Sequence, residues 1–348
     1  MHQKITIALD MMSGDHGLSA SVPGAIKSLK EHDDLFLMLI GDEKLILPLI
    51  PNDFKNTQKK RYSIIHTTEY IAMDDEIIKA IRSKKKSSMR LGINAVKDKN
   101  AGACVSAGNT GALMALSKII LKMIPGIDRP AICGSLPTKT GQCHILDLGA
   151  NVECDANHLY QFSILGSALV QSLEINTKPV IGLLNVGSEE FKGNDTIKNA
   201  GQLMQESKLN YAGFVEGDEM FNGNFDVIVS DGFAGNIALK SIEGVAKLIS
   251  HFIKTEFNKS IFTKLAGLIS YPVMGAVKNK VDPRKYNGAS LLGLQGVVVK
   301  SHGGADAYAF SQAINTAYYE VKNGILDKIE SLVRSGGSND WLVFENNW

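Results

Sequence analysis

The stretch Ala103-Cys104-Val105-Ser106-Ala107-Gly108-Asn109-Thr110-Gly111-Ala112-Leu113-Met114-Ala115 carries a change of period on which the reading of the whole chain turns. An apolar run, Ala103 to Val105, gives way to small polar residues and glycines, and apolar residues then recur at Leu113, Leu116, Ile119 and Ile120. This predicts a short buried strand, a tight loop and a helix. Gly108 and Gly111 can take backbone angles closed to other residues and let a ligand approach the main chain. Ser106, Asn109 and Thr110 add side-chain hydrogen-bonding groups beside the unpaired N–H groups of the helix start. Such a loop can seat an anion, phosphate above all; a capped helix after a glycine turn has the same composition.

The same sequence of strand and polar loop recurs along the chain. An apolar run from Ile5 to Leu9 ends in Asp10 and a loop bearing Asp15 and Gly17. Leu35 to Ile40 and Ser63 to His66 read as strands. Arg129 lies in the loop Pro125 to Pro130, and a strand from His144 delivers Asp147 to Asn151. Pro179 to Leu184 opens into a loop with Asn185, Glu189, Glu190, Lys192, Gly193 and Asn194, where ionisable groups are denser than turn chemistry requires. Asp226 to Ser230 leads to Asp231-Gly232-Phe233-Ala234-Gly235-Asn236, and Leu291 to Val299 reads as one further strand before Lys300 to Asp306. Strands alternating with helices predict a wound α/β fold with a largely parallel sheet, in which several strand-end loops converge on one crevice.

Composition narrows the class. Among 348 residues the formal net charge is +1, the hydrophobic content 44% and the charged content 21%, as in a soluble globular enzyme. No basic tract is interleaved with aromatics, so nucleic acid is not an expected partner. Cys104, Cys133, Cys143 and Cys154 have no metal-ligand spacing and read as reduced thiols of a cytosolic protein, with no metal site. No signal peptide and no bilayer-spanning run are expected. The run RSKKKSSM, with Arg82, Lys84, Lys85 and Lys86, is either a solvated helix face or a surface for an acidic partner. From 251 to 280, apolar residues including Phe257, Ile261, Phe262, Leu265, Leu268 and Ile269 fall at helical spacing among lysines, with a bend near Gly267, Ser270 and Pro272. This predicts two helices joined at an exposed tip, a hairpin suited equally to a membrane surface or to a dimer contact.

Taken together, the segments resemble the bacterial phosphate acyltransferases of phospholipid synthesis. The resemblance runs from Ile5 to about Gly324 through DMMSGDHG at Asp10, RSKKKSSM at Arg82, SAGNTGALMA at Ser106, DRPA at Asp128, LDLGANVEC at Leu146, LLNVGSEEFKGN at Leu183, DGFAGNIALKSIEG at Asp231 and GADAYAF at Gly304. Two features depart from it: Ser13-Gly14 stands where the family has paired glycines, and the last dozen residues match nothing in the family pattern. The resemblance implies a three-layer α/β/α fold like that of the isocitrate and isopropylmalate dehydrogenases and of phosphotransacetylase, here one domain over 1–335 with the hairpin inserted and a tail over 336–348. It implies a homodimer, peripherally attached to the inner face of the cell membrane. It also implies the reaction of long-chain acyl-acyl carrier protein with inorganic phosphate, giving acyl phosphate for a membrane glycerol-3-phosphate acyltransferase.

Hydrogen phosphate is nucleophilic near neutral pH, so this reaction requires no protein nucleophile, cofactor or metal in principle. The protein has to align two reactants, offset phosphate charge and stabilise the oxyanion at the thioester carbon. On this reading Ser106, Asn109, Thr110 and Gly111 bind phosphate, Lys192 neutralises it or the oxyanion, Asn185 or Asn236 donates to the carbonyl, and Asp231 positions. Asp10, Asp15, Arg129, Asn151 and Asn194 complete the site loops, and Arg82, Lys84 and Lys85 steer the acidic carrier protein. A nicotinamide-dependent decarboxylating dehydrogenase is disfavoured because no G-x-G-x-x-G follows the first strand, and a non-catalytic membrane scaffold leaves the polar loops without a purpose.

Overall fold

The computed structural model describes residues 4–55 and 61–336, so most of the expected tail lies outside the described residues. The strands are β1 Ile5–Asp10, β2 Leu35–Gly41, β3 Tyr62–His66, β4 Ala103–Ser106, β5 Ala131–Pro137, β6 Gln142–Leu146, β7 Ile181–Leu184, β8 Tyr211–Val215, β9 Val227–Val229, β10 Ala289–Leu292 and β11 Val297–Lys300. They form one 11-stranded sheet in the order β3-β2-β1-β4-β11-β10-β5-β6-β9-β7-β8. All neighbours pair in parallel except three adjacent couples in the middle, β11 with β10, β10 with β5 and β5 with β6. Three reversals leave β1 to β4 and β11 running one way and β6 to β9 the other.

Helices cover both faces, which is why the central strands are apolar without alternation. On one face a single core joins Leu9, Val105 and Val299 to Leu183 and Val229 under the helices Leu18–Glu31, Ala156–Ser172 and Ala307–Lys322. On the other face the core divides. Ala8, Cys104 and Val298 pack against Met89, Ile93, Leu113 and Leu116 of Ser88–Lys97 and Thr110–Leu121. Cys143, Ile145 and Ile228 pack against Ala238, Leu239 and Ile242 of Gly232–Asn258. The three-layer arrangement is therefore present.

Three expectations change in detail. The run Leu291 to Val299 is two antiparallel strands, because Gly293, at φ +91°, and Gly296 turn the chain between them. β5 and β8 are strands that apolar periodicity does not announce: the seven residues of β5 are interrupted by Gly134 and Ser135, and β8 by Gly213. The segment 251–280 is three helical pieces: Gly232–Asn258 runs straight into it, and Ile261–Ile269 and Tyr271–Lys280 follow. The first break falls at Ser260, whose hydroxyl caps the next helix through the Thr263 N–H at 3.1 Å. Gly267 lies inside a helix, where a Cβ would meet the Phe257 ring at 2.9 Å, so it serves the packing of the hairpin and not its bend. No helix among the described residues is long and apolar enough to cross a membrane.

Glu320, on Ala307–Lys322, is buried against β10 and accepts a hydrogen bond from Ser290 Oγ. Burial pushes its carboxyl up to about 8, so it is held neutral in the fold. The folded state thus keeps a proton that the unfolded chain releases above its ordinary value of 4.5, and stability falls as pH rises from there to about 8. Glu320→Gln should remove that fall, melting on the order of 5 °C above the parent at pH about 8 and close to it at pH about 4.5, as thermal denaturation at the two pH values would read.

Candidate active site

Three parallel neighbours end in the same register: Asp10 of β1 pairs with Ser106 of β4, and Ser106 with Lys300 of β11. All three side chains are buried. The Asp10 carboxylate accepts one hydroxyl on each oxygen, Ser88 Oγ at 2.6 Å and Ser106 Oγ at 2.7 Å. Ser88 closes the RSKKKSSM run, so that motif contributes a serine to the interior while its lysines turn the chain above it. Lys300 Nζ donates to the carbonyl of Ala107 at 3.3 Å and to that of Ser301, tying the β4 loop to the β11 loop. Burial lowers its ammonium to about 8, partly opposed by Asp10 and Asp15.

The loop after β4 is satisfied largely from within. Ser106 Oγ also accepts the Gly108 N–H at 3.1 Å. Asn109 caps Thr110–Leu121 by accepting the Ala112 N–H at 3.0 Å, and its amide donates to Met73 O at 2.9 Å. The groups left at the helix start are the N–H groups of Thr110 and Gly111, the first helical positions, with the exposed Thr110 hydroxyl. Asp15 is exposed above this end; its N–H donates to Gly303 O at 2.8 Å. Gly14, at φ +90°, holds the turn, while Ser13 has an ordinary backbone, so the missing paired glycine puts no backbone strain on the first loop.

A second group leaves the opposite ends of the strands, from β6, β9 and β7. Asp147, buried just past β6, accepts Ile132 N–H at 2.9 Å, Ala150 N–H at 3.1 Å, Asn151 N–H at 2.6 Å and Asn151 Nδ2 at 2.9 Å. Burial raises its carboxyl above the usual range, and these four donors oppose the rise. Against this loop sits the start of Gly232–Asn258, capped by Asp231, which accepts the Ala234 N–H at 2.7 Å. Gly232 N–H donates to Asn151 O at 2.7 Å, and Asn236, exposed, lies beside Gly149. Arg129 donates to Glu153 O at 3.0 Å near the same loop. Beside β9, the β7 loop is folded by Asn185, whose amide donates to Gly187 O at 3.1 Å and Lys192 O at 3.2 Å. Asn194 caps Asp195–Gln205, and Lys192 is exposed, its Nζ 5.7 Å from the Phe191 ring centroid.

The candidates therefore fall into two groups and not one crevice within the chain. Asp10, Asp15, Ser106, Asn109, Thr110 and Gly111 form the first; Arg129, Asn151, Asn185, Lys192, Asn194, Asp231 and Asn236 form the second. Strands β10 and β5 separate them, about 14 Å of sheet from β11 to β6. Of the residues expected to steer a carrier protein, Lys84 is ion-paired with Asp75, whereas Arg82 and Lys85 are exposed. The hairpin residues Ile261, Phe262, Leu265, Leu268 and Ile269 are all exposed, Phe262 at 83%; Phe257 alone is partly covered.

A family model described as fatty acid synthesis protein matches residues 5–328. The chain is 52% identical to a phosphate acyltransferase of Methylococcus capsulatus over 93% of its own length and 95% of that protein's, and 51% identical to one of Hydrogenovibrio crunogenus over 95% and 98%. The chain belongs to the phosphate acyltransferase family. Among solved structures, a phosphotransacetylase from Streptococcus pyogenes superposes with a TM-score of 0.63 at 15% identity, covering 91% of this chain and 94% of that one. A branched-chain phosphotransacylase from Enterococcus faecalis gives 0.54 at 14%, covering 91% and 99%. The fold is thus shared well beyond the family.

Sequence reading passed over Ser88, Asp147 as the organiser of its loop, and Lys300. The available signal for Lys300 was a lysine closing an all-valine strand, which is costly unless something faces it. The closest approach of backbone to a glycine is at Gly235, where a Cβ would fall 2.7 Å from Ser230 Oγ and overlap the Asp147 carbonyl. Backbone cannot yield as a flexible side chain does. Gly235→Ala should destabilise the fold by about 3 kcal/mol in denaturant titration.

Proposed function

We propose that this protein transfers a long-chain fatty acyl group, reversibly, from acyl-acyl carrier protein to inorganic phosphate, giving acyl phosphate for phospholipid synthesis. What carries this reading is the near-full-length relationship to phosphate acyltransferases at about half identity. A phosphate oxygen attacks the thioester carbonyl carbon; the oxyanion collapses, the C–S bond breaks, and the carrier thiol leaves with the electron pair. With a thiol pKa near 8.5 it departs as thiolate with little acid assistance. The Thr110 and Gly111 N–H groups, at the positive end of a helix, suit the phosphate. Asn236 suits the oxyanion better than Asn185, whose two amide hydrogens already hold their own loop; Lys192 suits the charge that develops there, and Asp231 and Asn194 hold their helix starts.

Since the two groups leave opposite ends of the strands, the working unit we propose is a homodimer in which the second group of one subunit meets the first group of the other. The face of Gly232–Asn258 that exposes Val245, Leu248, Ile249 and Phe252 suits burial against a second copy. Arg82 and Lys85 suit the acidic carrier protein. The basic, apolar hairpin suits the inner surface of the cell membrane, where a glycerol-3-phosphate acyltransferase would take up the acyl phosphate.

Release of carrier thiol from palmitoyl-acyl carrier protein should depend on added phosphate; phosphate-independent release, or none, overturns the reaction. Asn109→Asp, which keeps the cap but adds negative charge, and Lys192→Ala should each lower turnover about a hundredfold or more. Co-refolded together they should recover up to about a quarter of parental activity, since only a shared site leaves one intact centre per mixed dimer. Failure to recover any would place both groups in one chain's site. Leu268→Glu should abolish sedimentation with anionic vesicles while soluble turnover persists.

A further inference from the structure

Lys192, the lysine singled out by the sequence, lies exposed in the second group, so within one chain the loop after β4 has no cation from that source. Lys300 stands directly beneath it. Among the described residues it is the one buried lysine, and no arginine is buried. Its Nζ is 3.3 Å from the carbonyl of Ala107, the residue between Ser106 and Gly108, and it also holds the carbonyl of Ser301. A third N–H remains beyond these two acceptors. Burying an ammonium is costly, and two neutral carbonyls do not repay it.

The surrounding charge makes the need plain. Asp10, from β1, and Asp15, from the loop after it, both face Lys300; His302, two residues along its own loop, is titratable too, with Nδ1 accepting the Gly304 N–H at 3.1 Å. Without the ammonium, an anion at this helix start would meet two carboxylates. Ser13 adds a further polar group: its hydroxyl is buried with no partner, 3.0 Å from where a Cβ on Gly108 would lie. Gly14 and Gly303 close the same corner without side chains, a Cβ on Gly14 falling 3.1 Å from Gly303 O.

We propose that the Lys300 ammonium is the charge that holds phosphate at the Ser106–Gly111 loop, an assignment that rests on the acyl-transfer reading above. The row Asp10, Ser106, Lys300 then has a division of labour. Asp10 fixes the serine hydroxyls that shape the loop, and Lys300 offsets both Asp10 and the bound anion. Because its ammonium lies near 8, the charge is lost as pH rises through that value, and phosphate affinity should fall with it.

The test uses the full chain, with Lys300→Gln, which keeps a hydrogen-bond donor but no charge, and Lys300→Met, which keeps neither. Thermal melting of each variant checks the fold. Phosphate-dependent thiol release should show the KM for phosphate raised about tenfold or more in both variants, with the KM for acyl-acyl carrier protein within about twofold of the parent. From pH about 7.5 to 9.5, where phosphate is mostly the dianion, the parental KM for phosphate should climb through about 8 while that of Lys300→Gln stays flat. A folded Lys300→Gln with the parental KM for phosphate, or a parental KM indifferent to pH across that range, overturns the proposal. Parental thiol release that ignores phosphate would instead overturn the reaction on which it rests.

Discussion

The antiparallel pairing of β10 and β5 at the centre of the sheet is the constraint on which the rest depends. Each parallel half could be completed by local strand, loop and helix units, but three reversals between them fix which ends of the strands carry which loops. Hydrogen bonding across β11, β10, β5 and β6 continues the ladder, so neither half has a free edge at the junction. One helical layer spans both halves on one face, with Phe162 and Phe310 in a single core, which binds them as one body. On the other face the core divides, and there the halves are independent.

Each group of loops is organised by a buried carboxylate, solved in two different ways. Asp147 gathers four N–H donors and behaves as a structural knot for the Asp147 to Asn151 turn. Asp10 accepts only hydroxyls, from Ser88 and Ser106, and has a buried ammonium two strands away. A carboxylate saturated by backbone N–H groups has little left to offer a ligand. One held by rotatable hydroxyls and balanced by a lysine leaves a polarisable floor beneath the loop after β4.

The hairpin follows a third logic. Neither Ile261–Ile269 nor Tyr271–Lys280 buries a residue, and the apolar side chains that helical spacing places on one side remain exposed. Packing within it is limited to contacts such as Phe257 over Gly267. Its base is nevertheless tied to the first group: Arg284 joins Asp282 to Asp306 at 3.0 Å, and Asn287 donates to Ser301 Oγ at 2.9 Å. An element that makes its own core so sparingly leaves a contiguous run of apolar side chains open to solvent.

The sequence by itself determined the strand, loop and helix units, the polar residues at strand ends, the exposed amphipathic hairpin and the family, because each is written in local period and in ordered motifs. It placed Asn109 beside a helix start and Asp231 before one, where both now act as caps. What it did not contain was direction. A run of valines has the same pattern in a parallel and an antiparallel strand, so Leu291 to Val299 read as one strand and the loops read as one crevice. Lys300 looked like a loop residue until β11 paired with β4 and set it level with Ser106 and Asp10. Such a row joins residues 96 and 193 or more positions apart in the chain, and only the tertiary pairing of strands brings side chains so distant into one buried charge balance.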